Sequence, residues 1–402
     1  MKILQIFPRF PWPLKDGGSV AFYNSLNGFR QKGCELTVAV LNTSKHRINF
    51  EELPEQVKNL AEFHLIDIDN TITPLGAFKN LFEQQSYIIS RFYNKDFEQL
   101  LVNLVQKKKF DAIIFEGLQI TAYINVIRHL TTAKCIYRAH NIEQNIWLSQ
   151  ALIEKNSLRK IYLTIQAGRL SKFEINCVKK FDAILPITFA DQENFKKFGV
   201  KTPMHVMPVG IELNKFEKYK PANQGAVFHI GSMDWMPNQE AVLWFLREVW
   251  PEVYKRTPLA RFMVAGRNMP AAFFSINQPG VTIAGEVDNG YEFMQQQGVM
   301  VVPLFAGSGM RVKVIEGMAM GKCIVATSMG MEGVPAKAGI HYLPADNASA
   351  FADTLTDLLE HPEKGEQIGI EARKFVFEHY NNSKIIEQVL TFIKQLKLPS
   401  KS

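Results

Sequence analysis

Residues 299–327 read VMVVPLFAGSGMRVKVIEGMAMGKCIVAT, and this stretch decides the fold class. It begins with a short apolar run closed by Pro303, which is typical of a strand buried on both faces of a parallel sheet. A glycine-containing loop follows, and then a helical pattern from about Met310 to Met320 that ends before a second apolar run. This order of strand, loop, helix and strand predicts an α/β fold with a parallel sheet.

The loop ahead of this helix has the chemistry of an anion site. Residues 307–309 read Gly-Ser-Gly and leave backbone N–H groups open before a helix N-terminus, which attracts phosphate. Arg311 and Lys313 lie where the helix macrodipole disfavours positive charge, so an anion bound beside them would explain both. Glu316 lies about one turn further along, and its carboxylate can accept two hydrogen bonds from a vicinal diol such as ribose. The alternative is an ordinary surface pair between Lys313 and Glu316, three residues apart.

The order of these residues closely resembles the donor motif of family 4 retaining glycosyltransferases. The shared string is Gly-Ser-Gly-x-Arg-x-Lys-x-x-Glu, followed by a helix of small residues and then Gly-Lys-x-x-Val. The resemblance implies a GT-B fold, in which two Rossmann-like domains with parallel sheets face each other across a deep cleft. One departure concerns Ser308. Many members of the family carry two glutamates with seven residues between them, and Ser308 occupies the first of these positions. A hydroxyl cannot supply the carboxylate that holds the donor sugar in the family, so the family's sugar preference does not transfer.

Composition agrees with an enzyme of ordinary globular type. The chain has 402 residues, of which 47% are hydrophobic and 21% charged; these values exclude a disordered or fibrous protein, and the length predicts about two to three domains. The formal net charge of +7 favours contact with phosphate-bearing substrates, anionic lipid or nucleic acid. Four widely spaced cysteines form no metal-like cluster and predict a reducing compartment.

The N-terminal sequence Met-Lys-Ile-Leu-Gln-Ile-Phe-Pro meets Arg9 almost at once, which predicts a first strand and not a signal peptide. No apolar run approaches the length of about 20 residues that a spanning helix needs. We therefore expect a cytoplasmic protein. Any membrane contact is expected to be peripheral, with anionic lipid at the inner face of the membrane.

Strand and helix patterns alternate along the chain. We predict a helix from about Ser19 to Gln31, one long and mainly helical stretch from 142 to 180, and only helix from Ala348 onward. The polar segment from Lys215 to Gln224 is the best candidate for a linker. The predicted strands are Lys2 to Phe7, Glu35 to Leu41, Phe63 to Ile66, Asp111 to Phe115, Lys134 to Tyr137, Ala183 to Pro186, His205 to Met207, Ala226 to Ile230, Arg261 to Ala265, Val281 to Ile283, Val299 to Val302 and Cys323 to Ala326.

Two domains follow from this pattern and from the resemblance. The first covers residues 1–212 and is the acceptor domain; the second covers residues 213–379 and is the nucleotide-sugar donor domain. A C-terminal helix of about 380–402 is implied to pack back on the first domain. Ligands in such sheets bind at the carboxyl ends of strands.

Near the N-terminus, Asp16-Gly17-Gly18 follows a strand and a proline-stiffened loop. The loop lacks Gly-x-Gly-x-x-Gly, so a nicotinamide cofactor is disfavoured. The glycine pair is similar to a Gly-Gly loop of the family, whose amides approach the donor phosphates. The alternative is a tight turn that requires positive φ. Arg9 in the same loop could line the acceptor side or pack internally.

A second polar string, Arg138-Ala-His-Asn-Ile-Glu, begins at the carboxyl end of a predicted strand. It resembles the family's His-Asn-x-Glu segment, which lies beside the sugar being transferred. His140 can donate or accept a proton near neutral pH and is assigned to catalysis. Glu116, at the end of another strand, is left out of the predicted site. The residues predicted on the acceptor side are Arg9, Arg138, Asn141 and Glu143.

In the second half, residues 228–238 read FHIGSMDWMPN and match the subfamily's Gly-Ser-x-x-x-x-Pro-Asn string. The Arg and Lys that many members use here to grip the diphosphate are absent, so Arg311 and Lys313 are expected to take that role. Arg267 could assist or be a solvated loop residue, and Glu286 lies where the family reads the base chiefly through the backbone. The predicted donor-binding residues are Gly17, Gly18, Gly231, Ser232, Asn238, Arg267, Glu286, Gly307, Ser308 and Gly309, and the predicted catalytic residues are His140, Arg311, Lys313 and Glu316.

The resemblance implies transfer of a sugar from a nucleoside-diphosphate sugar to a hydroxyl of a glycan or lipid-linked acceptor, with retention of configuration, in polysaccharide biosynthesis. Neither a metal nor a cofactor is expected, because the basic residues of the donor motif are expected to take the place of a metal ion. Three alternatives remain open: a nucleotide-sugar epimerase of the same fold, a non-catalytic sugar-nucleotide-binding protein, and a nucleic-acid binder. Only the net charge suggests the last, and we expect no nucleic-acid partner.

Overall fold

The structure is a computed structural model that describes residues 1–14, 16–219, 225–307 and 309–397. The chain divides into two compact units. Unit 1 is Met1–Gly210 together with the C-terminal segment that begins at Asn382, and unit 2 is Ile211–Asn381. Each unit contains one six-stranded parallel sheet, so the predicted α/β fold with two Rossmann-like sheets is confirmed.

The sheet of unit 1 has the strand order β3-β2-β1-β4-β5-β6. Its strands are β1 (Lys2–Phe7), β2 (Glu35–Thr43), β3 (Glu62–Ile68), β4 (Ala112–Glu116), β5 (Lys134–Ala139) and β6 (Ala183–Pro186). Alternate residues of β1 enter two apolar cores, with Leu4 and Ile6 in one and Ile3 and Phe7 in the other. Helices therefore cover both faces of the sheet, as parallel sheets require.

The helices of unit 1 are α1 (Gly17–Gln31), α2 (Glu55–Lys58), α3 (Pro74–Asn80), α4 (Tyr87–Ser90), α5 (Lys95–Lys107), α6 (Ile124–Ile127), α7 (Glu143–Ile153), α8 (Ser157–Val178) and α9 (Phe189–Lys197). The continuous helical stretch predicted for 142–180 is wrong in one respect, because the chain leaves the helix between Ile153 and Ser157. Asn156 begins α8 as its N-cap, accepting a hydrogen bond from the Arg159 amide at 3.0 Å. Asparagine is a favoured N-cap residue, so the break has a local cause.

The sheet of unit 2 has the strand order β12-β11-β10-β7-β8-β9. Its strands are β7 (Val227–Ile230), β8 (Phe262–Ala265), β9 (Val281–Gly285), β10 (Met300–Val302), β11 (Ile324–Ala326) and β12 (Leu343–Pro344). The two-residue edge strand β12 was not predicted, because two residues show no periodicity.

The helices of unit 2 are α10 (Met236–Trp244), α11 (Trp250–Arg256), α12 (Ala271–Phe274), α13 (Gly290–Gln296), α14 (Val312–Ala319), α15 (Ala348–Glu360) and α16 (Pro362–His379), with a π-helical segment, Phe245–Val249, joining α10 to α11. The last helix, α17 (Asn382–Gln395), belongs to unit 1. Its Ile386, Val389 and Ile393 are buried in the same core as Ile3.

Two further predictions are corrected. Residues 205–207 do not form a strand: His205 and Met207 donate to the carbonyls of Ile184 and Pro186, but the segment lies between Pro203 and Pro208, which have no N–H to extend a ladder. The segment from Lys215 is not a linker as far as Tyr219, because Phe216 and Tyr219 are buried in the core of unit 2. The rest of that predicted linker, 220–224, lies outside the described residues.

Candidate active site

In each sheet the strand order reverses at one place, between β1 and β4 in unit 1 and between β7 and β10 in unit 2. At such a place the loops that follow the two strands diverge and leave room for a ligand. Arg9 and Gly117 follow β1 and β4, and Gly231 and Pro303 follow β7 and β10. Most of the predicted site residues lie in or close to these four loops.

In unit 2, helix α14 begins after a loop in which Gly307 and Gly309 both have positive φ. Gly307 has φ of 120° and Gly309 has φ of 81°, a region that other residues rarely adopt. A Cβ on Gly307 would lie 2.5 Å from the Cη2 atom of Trp235. The loop is therefore packed against Trp235. Ser308, predicted to contact the donor, lies outside the described residues.

Arg311 is the residue directly before α14. Its guanidinium lies 5.1 Å from the ring centre of Trp235, and its Nη1 donates to the Gly309 carbonyl at 2.8 Å. Burial lowers the pKa of Arg311, yet a guanidinium stays charged at neutral pH. The chain thus holds a half-buried cation at a helix N-terminus, where the macrodipole opposes it and an anion would stabilise it.

Glu316 is 4% exposed and already has two protein partners. The Tyr291 hydroxyl donates to its Oε1 at 2.7 Å, and the Lys313 ammonium lies 2.7 Å from its Oε2. Burial, with the charge of Glu316, raises the pKa of Tyr291. Oε2 is shielded from solvent, and the Lys313 ammonium covers it. The predicted contact of Glu316 with a diol stays a prediction.

The loop after β7 is held by side chains from α10 and from the segment that follows β8. Asn238 donates from Nδ2 to the Ser232 carbonyl at 2.9 Å, and Arg267 donates from Nη2 to the Ser232 hydroxyl at 3.0 Å. A Cβ on Gly231 would lie 2.7 Å from the Asn238 Nδ2 atom. Asn238 therefore shapes this loop, which differs from the predicted nucleotide contact. Glu286 follows β9 with an exposed side chain.

Unit 1 has a cavity of about 730 Å³ formed by the loops that follow its strands. The predicted site residues in its wall are Arg9, Gly18, His140, Asn141 and Glu143. Lys45 and Arg91, which were not predicted, add two cations to the same wall. The structure thus brings together the acceptor-side residues expected from the sequence, with the exception of Arg138.

Asp16 organises the glycine loop at the start of α1. Its carboxylate accepts from the Ser19 amide at 3.0 Å as the N-cap and from both Arg9 Nη atoms, at 2.9 and 2.5 Å. Burial opposes ionisation, but Arg9 outweighs it and holds the pKa of Asp16 well below its usual range. Gly17 and Gly18 do not have positive φ. The reason for glycine at 18 is space, because a Cβ there would lie 2.6 Å from Arg9 Nη2.

His140 contacts a carboxylate that the sequence prediction left out. Its Nε2 lies 2.8 Å from Glu116 Oε2, and its ring packs edge-on against Phe22 at 4.7 Å between centres. Burial lowers the pKa of His140 and outweighs the opposing effect of Glu116. The imidazole is therefore neutral at pH 7, and because a carboxylate only accepts, Nε2 carries the hydrogen and Nδ1 is left as an acceptor.

Glu116 is fully buried and serves as the centre of a polar network. It accepts from Gln5 Nε2 at 3.0 Å, Ser25 Oγ at 3.1 Å and Arg138 Nη1 at 3.3 Å. Burial alone would raise the pKa of Glu116, but the charge of Arg138 and the hydrogen bond from His140 lower it. Glu116 is thus an ionised group that fixes the tautomer of His140.

The placement of Arg138 on the acceptor side is wrong. Arg138 is 1% exposed, and its guanidinium also donates to the Ala21 carbonyl of α1 at 3.3 Å. In the sheet, Arg138 pairs with Glu116 in register, so both side chains leave the sheet on one face. Arg138 acts beneath the cavity as the counter-ion of Glu116.

Helix α7 begins at the cavity and is supported by a buried acid. Glu174 accepts from the amides of Glu143 and Gln144 at 3.2 and 3.0 Å. Burial raises the pKa of Glu174 to about 8, against the effect of these two amides, and the Glu143 carboxyl adds to the rise. Glu174 therefore holds a proton in the folded protein at neutral pH.

This shift predicts a pH-dependent stability. The folded pKa of Glu174 lies above that of an unfolded glutamate, so its contribution is present below about pH 4 and is lost as the pH rises to 8. Glu174→Gln keeps one of the two acceptor oxygens and cannot ionise. We expect the free energy of unfolding of Glu174→Gln, measured relative to wild type, to increase by roughly 2–4 kcal/mol from pH 5 to pH 9. Thermal denaturation at both values measures this, with the exposed Glu193→Gln as control. Equal pH dependence in Glu174→Gln and wild type would contradict it.

Two kinds of feature, a metal-ligand cluster and a membrane-spanning helix, are absent from the residues that the structure describes. No group of three or more His, Cys, Asp or Glu side chains is placed to hold a metal ion among the residues described. Metal independence stays a prediction, since this placement does not test it. None of the helices in the same part of the chain combines the length and the apolar character needed to cross a bilayer.

Comparison with known proteins identifies the second half. Residues 224–361 match the family model described as "Glycosyl transferases group 1". This matched segment lies within unit 2, and we call it the group 1 domain. An uncharacterized 44.6 kDa protein in the cps region of Klebsiella pneumoniae is 22% identical over 294 residues, which are 70% of this chain and 74% of that protein.

Solved structures show the same fold over nearly the whole chain. Sucrose-phosphate synthase from Thermosynechococcus elongatus has a TM-score of 0.71 at 13% identity, with 98% of this chain and 99% of that chain covered. Alr3699/HepE of Anabaena, in complex with UDP and glucose, has a TM-score of 0.68 at 14% identity, with 98% and 100% covered. The chain has the GT-B fold, as predicted.

Besides Lys45 and Arg91, three residues that support the candidate site were not predicted from the sequence. In the group 1 domain these are Trp235 and Tyr291, which hold Arg311 and Glu316; in unit 1 it is Glu116. Glu116 could have been found from the sequence, because it is a carboxylate at the carboxyl end of β4, one of the two strands between which the strand order reverses. Trp235 and Tyr291 gave no comparable signal, because aromatic residues in a loop and on a helix are more often core packing.

Proposed function

We propose that this protein transfers a sugar from a nucleoside-diphosphate sugar to a hydroxyl of a glycan or lipid-linked acceptor, with retention of configuration. The observation that carries the proposal is the start of α14 within the group 1 domain. There a glycine loop, Arg311 and Lys313 surround a helix N-terminus, one turn before Glu316. This arrangement suits a nucleoside diphosphate, whose phosphates are anionic and whose ribose carries a diol.

The chemical step needs stabilisation of the leaving group. The acceptor oxygen forms a bond to C1 of the sugar while the bond between C1 and the β-phosphate oxygen breaks. Negative charge develops on the departing diphosphate, which amides and cations held in place beforehand can stabilise. For retention, we propose that attack occurs on the same face as departure, with the hydroxyl proton passing to the leaving phosphate. No divalent metal is required in this proposal.

The acceptor is proposed to bind in the cavity of unit 1. His140 there has a neutral ring with Nε2–H fixed by Glu116, so Nδ1 can accept a hydrogen bond from a sugar hydroxyl. The cps-region relative supports polysaccharide biosynthesis as the process. A lipid-linked acceptor would place the protein at the inner face of a membrane.

The test is a thermal-shift panel without metal, using UDP, GDP, ADP, CMP and their sugar conjugates. UDP comes first because the Anabaena structure holds it. A ligand at about 100 times its Kd stabilises the native state by roughly 2.7 kcal/mol. We expect one nucleotide to raise the Tm of wild type, and Glu316→Ala to abolish that rise measured against its own ligand-free Tm.

The matched control is Glu366→Ala, the same change at an exposed position of α16 in the same unit. It should retain the full rise. If no nucleotide shifts wild type, or if the control loses the shift as completely, the proposed donor site is wrong. A product that forms without any acceptor would instead indicate the epimerase.

A further inference from the structure

Exposed apolar side chains are concentrated on one part of unit 1. Among the described residues, nine of the nineteen exposed large apolar side chains lie in residues 72–82 and 148–165. Phe82 is 80% exposed, Leu152 74% and Leu158 81%. We call the surface formed by Leu75, Phe78, Phe82, Leu152, Leu158 and Ile161 the apolar face. Soluble monomers rarely expose apolar side chains in such groups without a partner.

Hydrogen bonds join the first segment to α8, the helix that contains residues 157–165 of the second segment. Arg169 of α8 donates to the Asn80 and Leu81 carbonyls at 2.7 and 2.8 Å, and Gln166 donates to Asn80 Oδ1 at 2.9 Å. The end of α3 is therefore fixed on α8. Along α8, Leu158, Ile161 and Ile165 recur at spacings of three and four, so they share one side of the helix with Arg169. Both segments thus belong to one surface.

The charges around this surface are mainly positive. The two segments contain Lys79, Lys155, Arg159 and Lys160 but only one acid, Glu154, which gives a formal charge of +3 from four cations and one anion. Within the described part of these segments, the only ion pair is Arg159 with Glu154 at 3.0 Å. Apolar side chains bordered by cations suit the interface of an anionic bilayer, where the former enter the acyl boundary and the latter meet phosphates.

The apolar face adjoins the cavity proposed for the acceptor. Ile72, 59% exposed, lies two residues before α3 and lines the cavity. Arg91, also in the cavity wall, follows α4 and donates to the Asn70 carbonyl at 3.3 Å. Gly76 of α3 packs so closely on Tyr87 of α4 that a Cβ would lie 2.4 Å from its hydroxyl. The first of the two segments therefore also forms part of the cavity wall.

We propose that the apolar face is a docking surface for an anionic lipid bilayer and that a lipid-linked acceptor enters the cavity from it. Docking itself is independent of sugar transfer, whereas the delivery of the acceptor rests on the proposed function. Binding uses both the side chains of the apolar face and the neighbouring cations of the two segments. Neither type of contact alone suffices.

The test is co-sedimentation of the full chain with vesicles of phosphatidylcholine alone or mixed with phosphatidylglycerol. We expect wild type to bind the mixed vesicles at low salt, and Phe82→Ser/Leu158→Ser to bind at least tenfold more weakly. Lys155→Glu/Lys160→Glu should lose the preference for phosphatidylglycerol. The control is Leu259→Ser/Ile340→Ser, which removes two exposed apolar side chains of unit 2, 96% and 46% exposed, and should bind as wild type.

Each variant is also measured for its Tm and its nucleotide-induced shift, which docking variants should retain. Wild type that stays in the supernatant with mixed vesicles, or a control pair that loses as much binding, overturns the proposal. So does a concentration-dependent dimer that Phe82→Ser/Leu158→Ser abolishes, because the occupant would then be a second copy. Absence of any nucleotide shift in wild type would count against the proposed function alone.

Discussion

Replacing Arg311 or Lys313 by methionine is expected to lower the kcat of sugar transfer by about 10²–10³-fold, or about 2.7–4 kcal/mol of transition-state stabilisation. Methionine keeps the apolar length of both side chains and removes only the charge and its donors. Both cations lie at the start of α14, where the helix macrodipole disfavours positive charge. In the proposed reaction the diphosphate gains negative charge as it departs, so contacts from these two cations would strengthen in the transition state.

The two variants should differ in their effect on donor binding. Lys313 covers Glu316 Oε2, so Lys313→Met removes the diphosphate contact but also uncovers an oxygen for the ribose. We therefore expect a smaller rise in KM for Lys313→Met than for Arg311→Met. Steady-state kinetics with the nucleotide sugar selected by thermal shift measure both constants. Lys337→Met, at an exposed position of unit 2, is the control, and a kcat equal to this control in both variants would exclude the proposed role of the cations.

Arg138→Met is expected to destabilise unit 1 by about 3–5 kcal/mol, because it leaves the carboxylate of Glu116 buried without its counter-ion. In wild type the pKa of Glu116 is lowered, so this group contributes stability above its unfolded pKa and loses it as the pH falls. Without Arg138 we expect the pKa of Glu116 in the folded protein to rise above its unfolded value. Ionisation of Glu116 would then destabilise the folded protein as the pH rises. The destabilisation should thus be greatest at neutral and alkaline pH and smaller near pH 5.

A double-mutant cycle separates this effect from lost packing. Arg138→Met/Glu116→Gln should be more stable than Arg138→Met at pH 7, because no buried charge is left alone. Urea denaturation of wild type, Arg138→Met, Glu116→Gln and the double variant gives the four free energies of unfolding at pH 5 and again at pH 7. Lys196→Met, in an exposed ion pair with Glu193 at 2.7 Å, should change stability by less than about 1 kcal/mol. A double variant no more stable than Arg138→Met would show that packing, and not charge, accounts for the loss.

Elements with strong local patterns could be predicted from the sequence. The predicted strand Lys2 to Phe7 agrees with β1, and the helix predicted from Ser19 to Gln31 agrees with α1 except for its first two residues. Buried parallel strands are continuous apolar runs, and α1 has Asp16 as a side-chain cap, so both signals are local. The short edge strand β12 and the false strand at His205 to Met207 fail for the opposite reason, because their pairing depends on neighbours in space.

The sequence predicted site residues that are close together along the chain. It did not predict contacts between residues that are distant in sequence. Arg311, Lys313 and Glu316 lie within six residues and were assigned together. The partner of Glu316, Tyr291, lies 25 residues earlier on another helix. Likewise, Glu116 and His140 are 24 residues apart and meet only because β4 and β5 are neighbours in the sheet. Arg138 was placed on the surface because a sequence does not show which charged side chain at a strand end turns inward.

The burial of the four cysteines has a practical consequence for following how the molecule opens. Cys34, Cys135 and Cys177 lie in unit 1 and Cys323 lies in unit 2, and all four are shielded from solvent. Burial also raises the pKa of each thiol, so the reactive thiolate is scarce as well as inaccessible. An alkylating reagent therefore modifies a given cysteine only in molecules where its surroundings have opened. Mass spectrometry of the labelled peptides then reports the local unfolding of the two units separately, within one intact chain.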